Sequence, residues 1–176
     1  LTRKKNELWE WLKILLIASV LSLVIRYFFF TPIIVDGKSM MPTLENRERM
    51  IVNKLSYVFG KPERFDIIVF HAPEEKDYIK RVIGLPGEHI EYKDDTLYVD
   101  GVPYEEPYLE EYKKQLMGGT LTEPFSITVP EGHLFVMGDN RRQSKDSRHI
   151  GPIPIESVLG KTTLIYWPLK EFQFIK

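Results

Sequence analysis

The sequence contains no cysteine, which excludes a disulfide framework and any thiolate metal site. It has no surplus of either charge: 24 Lys and Arg stand against 25 Asp and Glu, a formal net charge of −1. That balance gives no reason to expect nucleic acid as a partner. Repeats and low-complexity tracts are missing too, and no long amphipathic helical pattern occurs after Thr31. Apolar side chains are abundant, with 43% hydrophobic and 12% aromatic residues in a chain of 176. This is enough to bury one main core and too much for a disordered chain. The first residue is Leu1 rather than methionine, as expected of a trimmed start or an unusual start codon.

One apolar run dominates the N-terminal end. Residues 14–25 are interrupted only by Ser19 and Ser22, and extension to Phe30 gives 17 positions. At about 1.5 Å per residue this is roughly 25 Å of helix, just short of a hydrocarbon core of roughly 30 Å. Residues 8–12 supply the missing length, with Lys13 snorkelling to the interface. Arg26 lies near one end, where a charge costs far less than at mid-bilayer. Trp9 and Trp11 at one end, and residues 27–30 at the other, are distributed like interfacial aromatic belts. Arg3, Lys4 and Lys5 precede the run, which places the N-terminus in the cytoplasm by the positive-inside rule. A cleavable signal needs small residues after its apolar region, and Arg26 with the four aromatics behind it supplies none. The expectation is one uncleaved transmembrane helix within residues 1–31, followed by a body at 32–176 outside the cytoplasm.

The body reads as strands and turns. Residues 67–70 and 78–83 are short runs rich in β-branched residues, the second stopped by Gly84, Pro86 and Gly87. Asp100-Gly101 between Tyr98-Val99 and Val102 is a two-residue hairpin signal, and Asp94-Asp95 turns the chain just before it. Further strands are expected at 126–129, 134–137 and 162–167, with Pro130-Glu131-Gly132 as a turn between the first two. The polar stretch 105–120 reads as a loop excursion.

Three segments carry chemistry. The first, Asp36-Gly37-Lys38-Ser39-Met40-Met41-Pro42-Thr43-Leu44, follows the apolar run directly. A serine near a glycine can sit on a tight turn beside free N–H groups able to hold an oxyanion, although most such serines are ordinary turn residues. Met41 stands where a hydrolase nucleophile elbow has its closing glycine. The second segment is Tyr78-Ile79-Lys80-Arg81-Val82-Ile83-Gly84-Leu85-Pro86-Gly87. Strand alternation puts Lys80 on the face of Tyr78 and Val82, where burial would depress its pKa and release a neutral amine. Taken alone, the same lysine reads first as a surface residue on an edge strand. The third, Gly138-Asp139-Asn140-Arg141-Arg142-Gln143-Ser144-Lys145-Asp146-Ser147-Arg148, is a loop dense in turn formers and alternating charges.

Together and in this order behind an N-terminal span, the three segments closely resemble bacterial type I signal peptidases, over the whole chain. The resemblance implies a Ser-Lys serine endopeptidase, with Ser39 as nucleophile and Lys80 as general base. Ser144 would hydrogen-bond the lysine amine, Asp139 would pair with Arg81, and Asp146 with Arg148. The Ser39 N–H would be one oxyanion donor. Some members place a serine hydroxyl two residues before the nucleophile as the second donor, but Gly37 occupies that position here, leaving backbone or water. The implied fold is mainly β: an antiparallel β catalytic domain with a small β-rich cap insertion at about 88–132. The short length and single span look like the compact Gram-positive form. The implied partners are the lipid bilayer of the bacterial cell membrane and secretory pre-proteins cut after small-x-small sequences, and no cofactor is implied. Ile33, Ile34 and Val35 are expected to form an edge strand for an extended substrate, with Ile34, Val35 and Met40 contacting it.

Three rival readings stand beside this one. His71, His89, His133 and His149 invite a Ser-His-Asp triad with Asp66 or Asp77, but their spacing matches no histidine motif. A self-cleaving repressor shares Ser-Lys chemistry but needs a DNA-binding helical domain in place of the apolar run. A membrane-tethered binding module without catalysis is the third, disfavoured by the presence of both Ser39 and Lys80.

Overall fold

The computed structural model describes residues 2–58 and 60–175. Arg3, Lys4 and Lys5, on which the expected orientation of the span rests, lie where side chains fall outside the described set. Helix α1 (Thr2–Phe28) is continuous, and its segment Glu7–Phe28 is long and apolar enough to cross a membrane, with none of that surface buried against the protein. At about 1.5 Å per residue the segment is roughly 33 Å long.

The described residues then form twelve strands: β1 (Phe30–Ile34), β2 (Arg49–Asn53), β3 (Ile67–Ala72), β4 (Lys76–Gly84), β5 (His89–Lys93), β6 (Thr96–Val99), β7 (Val102–Tyr104), β8 (Phe125–Thr128), β9 (His133–Met137), β10 (Ile153–Pro154), β11 (Val158–Trp167) and β12 (Gln173–Phe174). Short helices α2 (Glu110–Lys114) and α3 (Ser147–Ile150) interrupt them. The main sheet runs β1-β2-β11-β3-β4-β9-β10, with β12 beside β11. A second sheet, β7-β6-β5-β8, uses only residues 89–128, the interval where the cap was expected. All the pairings are antiparallel.

Turn chemistry explains the second sheet. Asp94 and Asp95 both have positive φ, as do Asp100 and Gly101, which is the backbone of two-residue turns whose twist suits a hairpin. The sheet packs on the main one through a shared core of Ile83, Ile90, Tyr92, Leu97, Phe135 and Met137. Strand β11 slips register against β2 and β3, the mark of bulges, which bend and twist a strand locally. Edge strand β1 and strand β4 both line one cleft. Beneath it lies a core of Val35, Met40, Leu44, Met50, Ile67 and Ile165. The polar 105–120 stretch contains the single turn of α2, seeded by Pro107 and flanked by Glu110 and Glu111 at its start and Lys113 and Lys114 at its end, charges that suit the helix dipole.

Candidate active site

Ser39 stands on the turn that follows β1. The turn is tied down on both flanks. Val35 exchanges backbone hydrogen bonds with Glu48 and Arg47, and the Leu44 N–H donates to the Met40 carbonyl at 2.9 Å. Met40 and Leu44 are fully buried, so the two apolar side chains after the serine anchor the loop in the core. Across the cleft, the Asn140 N–H donates to the Ser39 carbonyl at 3.0 Å, and the Asn140 side chain donates to the Lys38 carbonyl at 3.1 Å. The nucleophile turn is thereby fixed to the third segment.

Lys80 lies on β4 opposite Ile68 of β3, with 4% of its surface exposed. Its Nζ is 2.8 Å from Ser39 Oγ and 2.9 Å from the Ile79 carbonyl, and it sits 5.1 Å from the centroid of the Tyr78 ring. Burial pulls its pKa down to about 8, although the carboxylates of Asp146 and Asp139 work against the shift. Roughly a tenth of the amine is therefore neutral at pH 7, and most of it above pH 8, and its hydrogen-bond partner is a serine hydroxyl.

The third segment supplies the frame. Asp139 is fully buried and accepts from Arg81 at 2.9 and 2.6 Å, a bidentate pair of the strong kind. Thr43 Oγ1 adds a third hydrogen bond at 2.6 Å. Arg81 stacks 3.9 Å from the Tyr108 ring centroid, on the face of β4 opposite Lys80. Asp146 accepts two hydrogen bonds from Arg148 at 2.8 Å and one from the Gly138 N–H at 2.9 Å. Burial alone would raise its pKa, but Arg148 and the Gly138 amide outweigh it and hold the carboxyl below its usual value.

Gly138 is where these parts meet. A Cβ there would lie 2.2 Å from Ser144 Oγ and 2.4 Å from the Ser39 carbonyl oxygen, so only glycine lets both serines approach.

Three expectations need correction. Ser144 does not hydrogen-bond Lys80: the amine's partners are Ser39 and the Ile79 carbonyl, and Ser144 Oγ, which meets no partner in full hydrogen-bond geometry among the described residues, lies toward Asp146 and helps to lower that carboxyl's pKa. Gly37 has a φ of +105°, but its N–H donates to Asn46 Oδ1 at 3.0 Å and is not free for an oxyanion. The Ser39 N–H has no acceptor among the described residues. Val35 and Met40 line the cleft, yet they are 4% and 2% exposed; they shape its floor from the core. Ile34, at the end of β1, is 60% exposed and is the one of the three whose side chain is open to solvent.

None of the four histidines bonds Ser39. His71 pairs with Asp77, His89 with Thr128 and Ser126, His133 with the Glu131 carbonyl, and His149 approaches Asp146. No cluster of three or more His, Asp or Glu is placed to hold a metal ion among the described residues. Sequence reading missed Thr43, Asn46, Asn140 and the buried Arg141–Glu106 pair, whose groups meet at 2.5 Å. Arg141 looked like one more charge in a charged loop, and only its zero exposure sets it apart.

The cleft around Ser39 and Lys80 has a volume of about 670 Å³ and is walled by β1 on one side and residues 77–80 on the other. The family model for signal peptidase, peptidase S26, matches residues 8–167. Signal peptidase I of Bacillus caldolyticus is 49% identical over 97% of this chain and 96% of its own length. Signal peptidase IB of Staphylococcus aureus is 40% identical over 97% and 95%. The crystal structure of a signal peptidase I from Enterococcus faecalis shares 46% identity and a TM-score of 0.56, covering 57% of this chain and 96% of that one. The mainly antiparallel fold and these likenesses define a serine peptidase, a hydrolase of peptide bonds. The chain belongs to the signal peptidase family, peptidase S26, with Gram-positive relatives.

Proposed function

We propose that this protein is a membrane-bound serine endopeptidase that removes N-terminal signal peptides from secretory pre-proteins, cutting after small-x-small sites. The observation that carries the mechanism is the 2.8 Å contact between Ser39 Oγ and a lysine amine buried enough to titrate at about 8. Neutral Lys80 takes the hydroxyl proton as Ser39 Oγ attacks the scissile carbonyl. The Ser39 N–H, which has no acceptor of its own among the described residues, donates to the developing oxyanion. The ammonium of Lys80 then returns the proton to the departing amine, leaving an acyl-serine. Water attacks that ester with Lys80 again as base, releasing the signal peptide and the free serine. Asp139–Arg81 and Asp146–Arg148 act as positioning residues that hold the third segment against Ser39 and Lys80, and Ser144 packs beside them.

An extended substrate adds to the free edge of β1, with Ile34 against it and Val35 and Met40 beneath. Helix α1 is the anchor, with the N-terminus cytoplasmic and residues 32–176 on the outer face of the bacterial membrane. The test uses detergent-solubilised protein and a pre-protein with an Ala-x-Ala site, comparing wild type with Ser39→Ala and Lys80→Ala. Cleavage after the last alanine by wild type alone is the expected result. Cleavage that survives Lys80→Ala would move the base elsewhere.

A further inference from the structure

A second cleft, of about 530 Å³, opens on the other side of the nucleophile turn. Its walls come from the nucleophile turn (Lys38, Met41), from α2 and the residues after it (Tyr112, Leu116, Met117), and from the third segment (Asn140, Arg142). Lys38 and Gln143 line both this cleft and the one that holds Ser39 and Lys80. The two clefts therefore meet beside Ser39. A peptide that fills the first up to its scissile bond and continues past the serine enters the second.

The second cleft also has a chemical character of its own. Two cations, Lys38 and Arg142, line it and no carboxylate does. Neither cation is in an ion pair among the described residues. Arg142 donates one hydrogen bond, from Nη2 to the Thr120 carbonyl at 2.9 Å, which steadies the guanidinium without neutralising it. The two carboxylates of the third segment are buried and paired, Asp139 with Arg81 and Asp146 with Arg148. Leu116 and Met117 add apolar surface, Met117 being wholly exposed.

Resting on the peptidase reading above, we propose that this cleft binds the residues that follow the cleavage point, the start of the released chain, and that Lys38 and Arg142 favour an acidic side chain there and disfavour a basic one. Five extended residues span roughly 17 Å, so the preference falls within the first few positions after the cut.

The experiment uses peptides with one Ala-x-Ala site and Glu, Ala or Lys placed singly at the second to fifth positions after it. kcat/KM is compared for wild type and Arg142→Glu at low and high salt. The expected ranking for wild type is Glu over Ala over Lys, by roughly threefold from end to end for exposed charges, flattening as salt screens them. Arg142→Glu leaves Lys38 facing one new carboxylate and flattens the ranking, while the same substitutions placed before the cut do not respond to Arg142. A ranking unmoved by Arg142→Glu, or one equal on both sides of the cut, overturns the inference. Anisotropy binding of the same peptides to Ser39→Ala protein separates the two ideas. If wild type cleaves nothing, the peptidase reading fails, yet charge-ranked binding by Ser39→Ala protein that flattens in the Ser39→Ala, Arg142→Glu protein still upholds the cleft, and unranked binding by Ser39→Ala protein sinks it.

Discussion

A lysine serves as a base only when its environment keeps it unprotonated, and at Lys80 that environment is built from neighbours rather than from a charge. Tyr78, Ile68 and the covering third segment remove water, and the pKa falls to about 8. Activity is expected to rise with pH through an apparent pKa near 8, as measured by kcat/KM on a short peptide. Lys80→Arg is expected to be inactive across that range, because a guanidinium stays charged. A stability consequence follows with a definite sign. The folded pKa lies below the unfolded value, so between about 8 and 10.5 the unfolded chain holds more protons, and stability rises with pH across that window. Below it the buried cation is a standing cost, so Lys80→Met is expected to be more stable than wild type at pH 7, by up to about 3 kcal/mol. Urea unfolding at pH 7 and pH 10 measures this; a Met variant with no advantage at pH 7 would show that the amine is not desolvated.

At the scale of elements, the site depends on how close three segments come, and Gly138 sets that distance. Gly138→Ala places a methyl 2.4 Å from the Ser39 carbonyl, a backbone atom that cannot swing away. Displacing the nucleophile turn by an ångström is expected to lower kcat by about 100-fold, while circular dichroism still reports the β fold. The elements themselves were unevenly legible in the sequence. Strand β4 and both hairpin turns were readable, because β-branched runs and Asp-Gly or Asp-Asp pairs are local signals. Strand β2 was not read, because Arg49 and Asn53 frame a core of only three apolar residues, and its pairing with β1 and β11 is non-local. Strand β5, His-Ile-Glu-Tyr-Lys, alternates perfectly but was overlooked beside the stronger turn signals after it. Ser39 and Lys80 were legible only as parts of a three-segment resemblance. Their 2.8 Å contact spans 41 positions of chain, and no local pattern encodes it. The Gly37 and Ser144 expectations failed for the same reason: which donor reaches which acceptor depends on neighbours such as Asn46 and Ile79.

At the scale of the molecule, a single residue separates α1 from the edge strand that lines the cleft, and Lys54 ties the end of the helix to the sheet through the Tyr27 carbonyl at 3.2 Å. In the anchored arrangement proposed above, the cleft is held near the membrane surface, where a signal peptide ends. The far side of the site is braced differently. Arg141 leaves the same loop as Asp139, donates to the Gly138 carbonyl, and reaches Glu106, Tyr92 and Thr122 beside the second sheet. Glu106 also accepts from the hydroxyls of Tyr92 and Tyr108, and both ends of the pair are buried. Cutting one end leaves a buried charge unmatched, so Glu106→Leu and Arg141→Met are each expected to lose about 3–5 kcal/mol. The double variant replaces an ion pair by apolar groups and is expected to be more stable than either single change, which requires a coupling in the cycle larger than the larger single loss, above about 3–5 kcal/mol. If the pair also braces the catalytic loop, the double variant keeps most of the stability yet loses kcat more than it changes KM. Denaturation and kinetics on the four proteins of the cycle decide it: strictly additive stabilities would mean that Arg141 and Glu106 act independently of each other, and an unchanged kcat would confine the pair to holding the two sheets together.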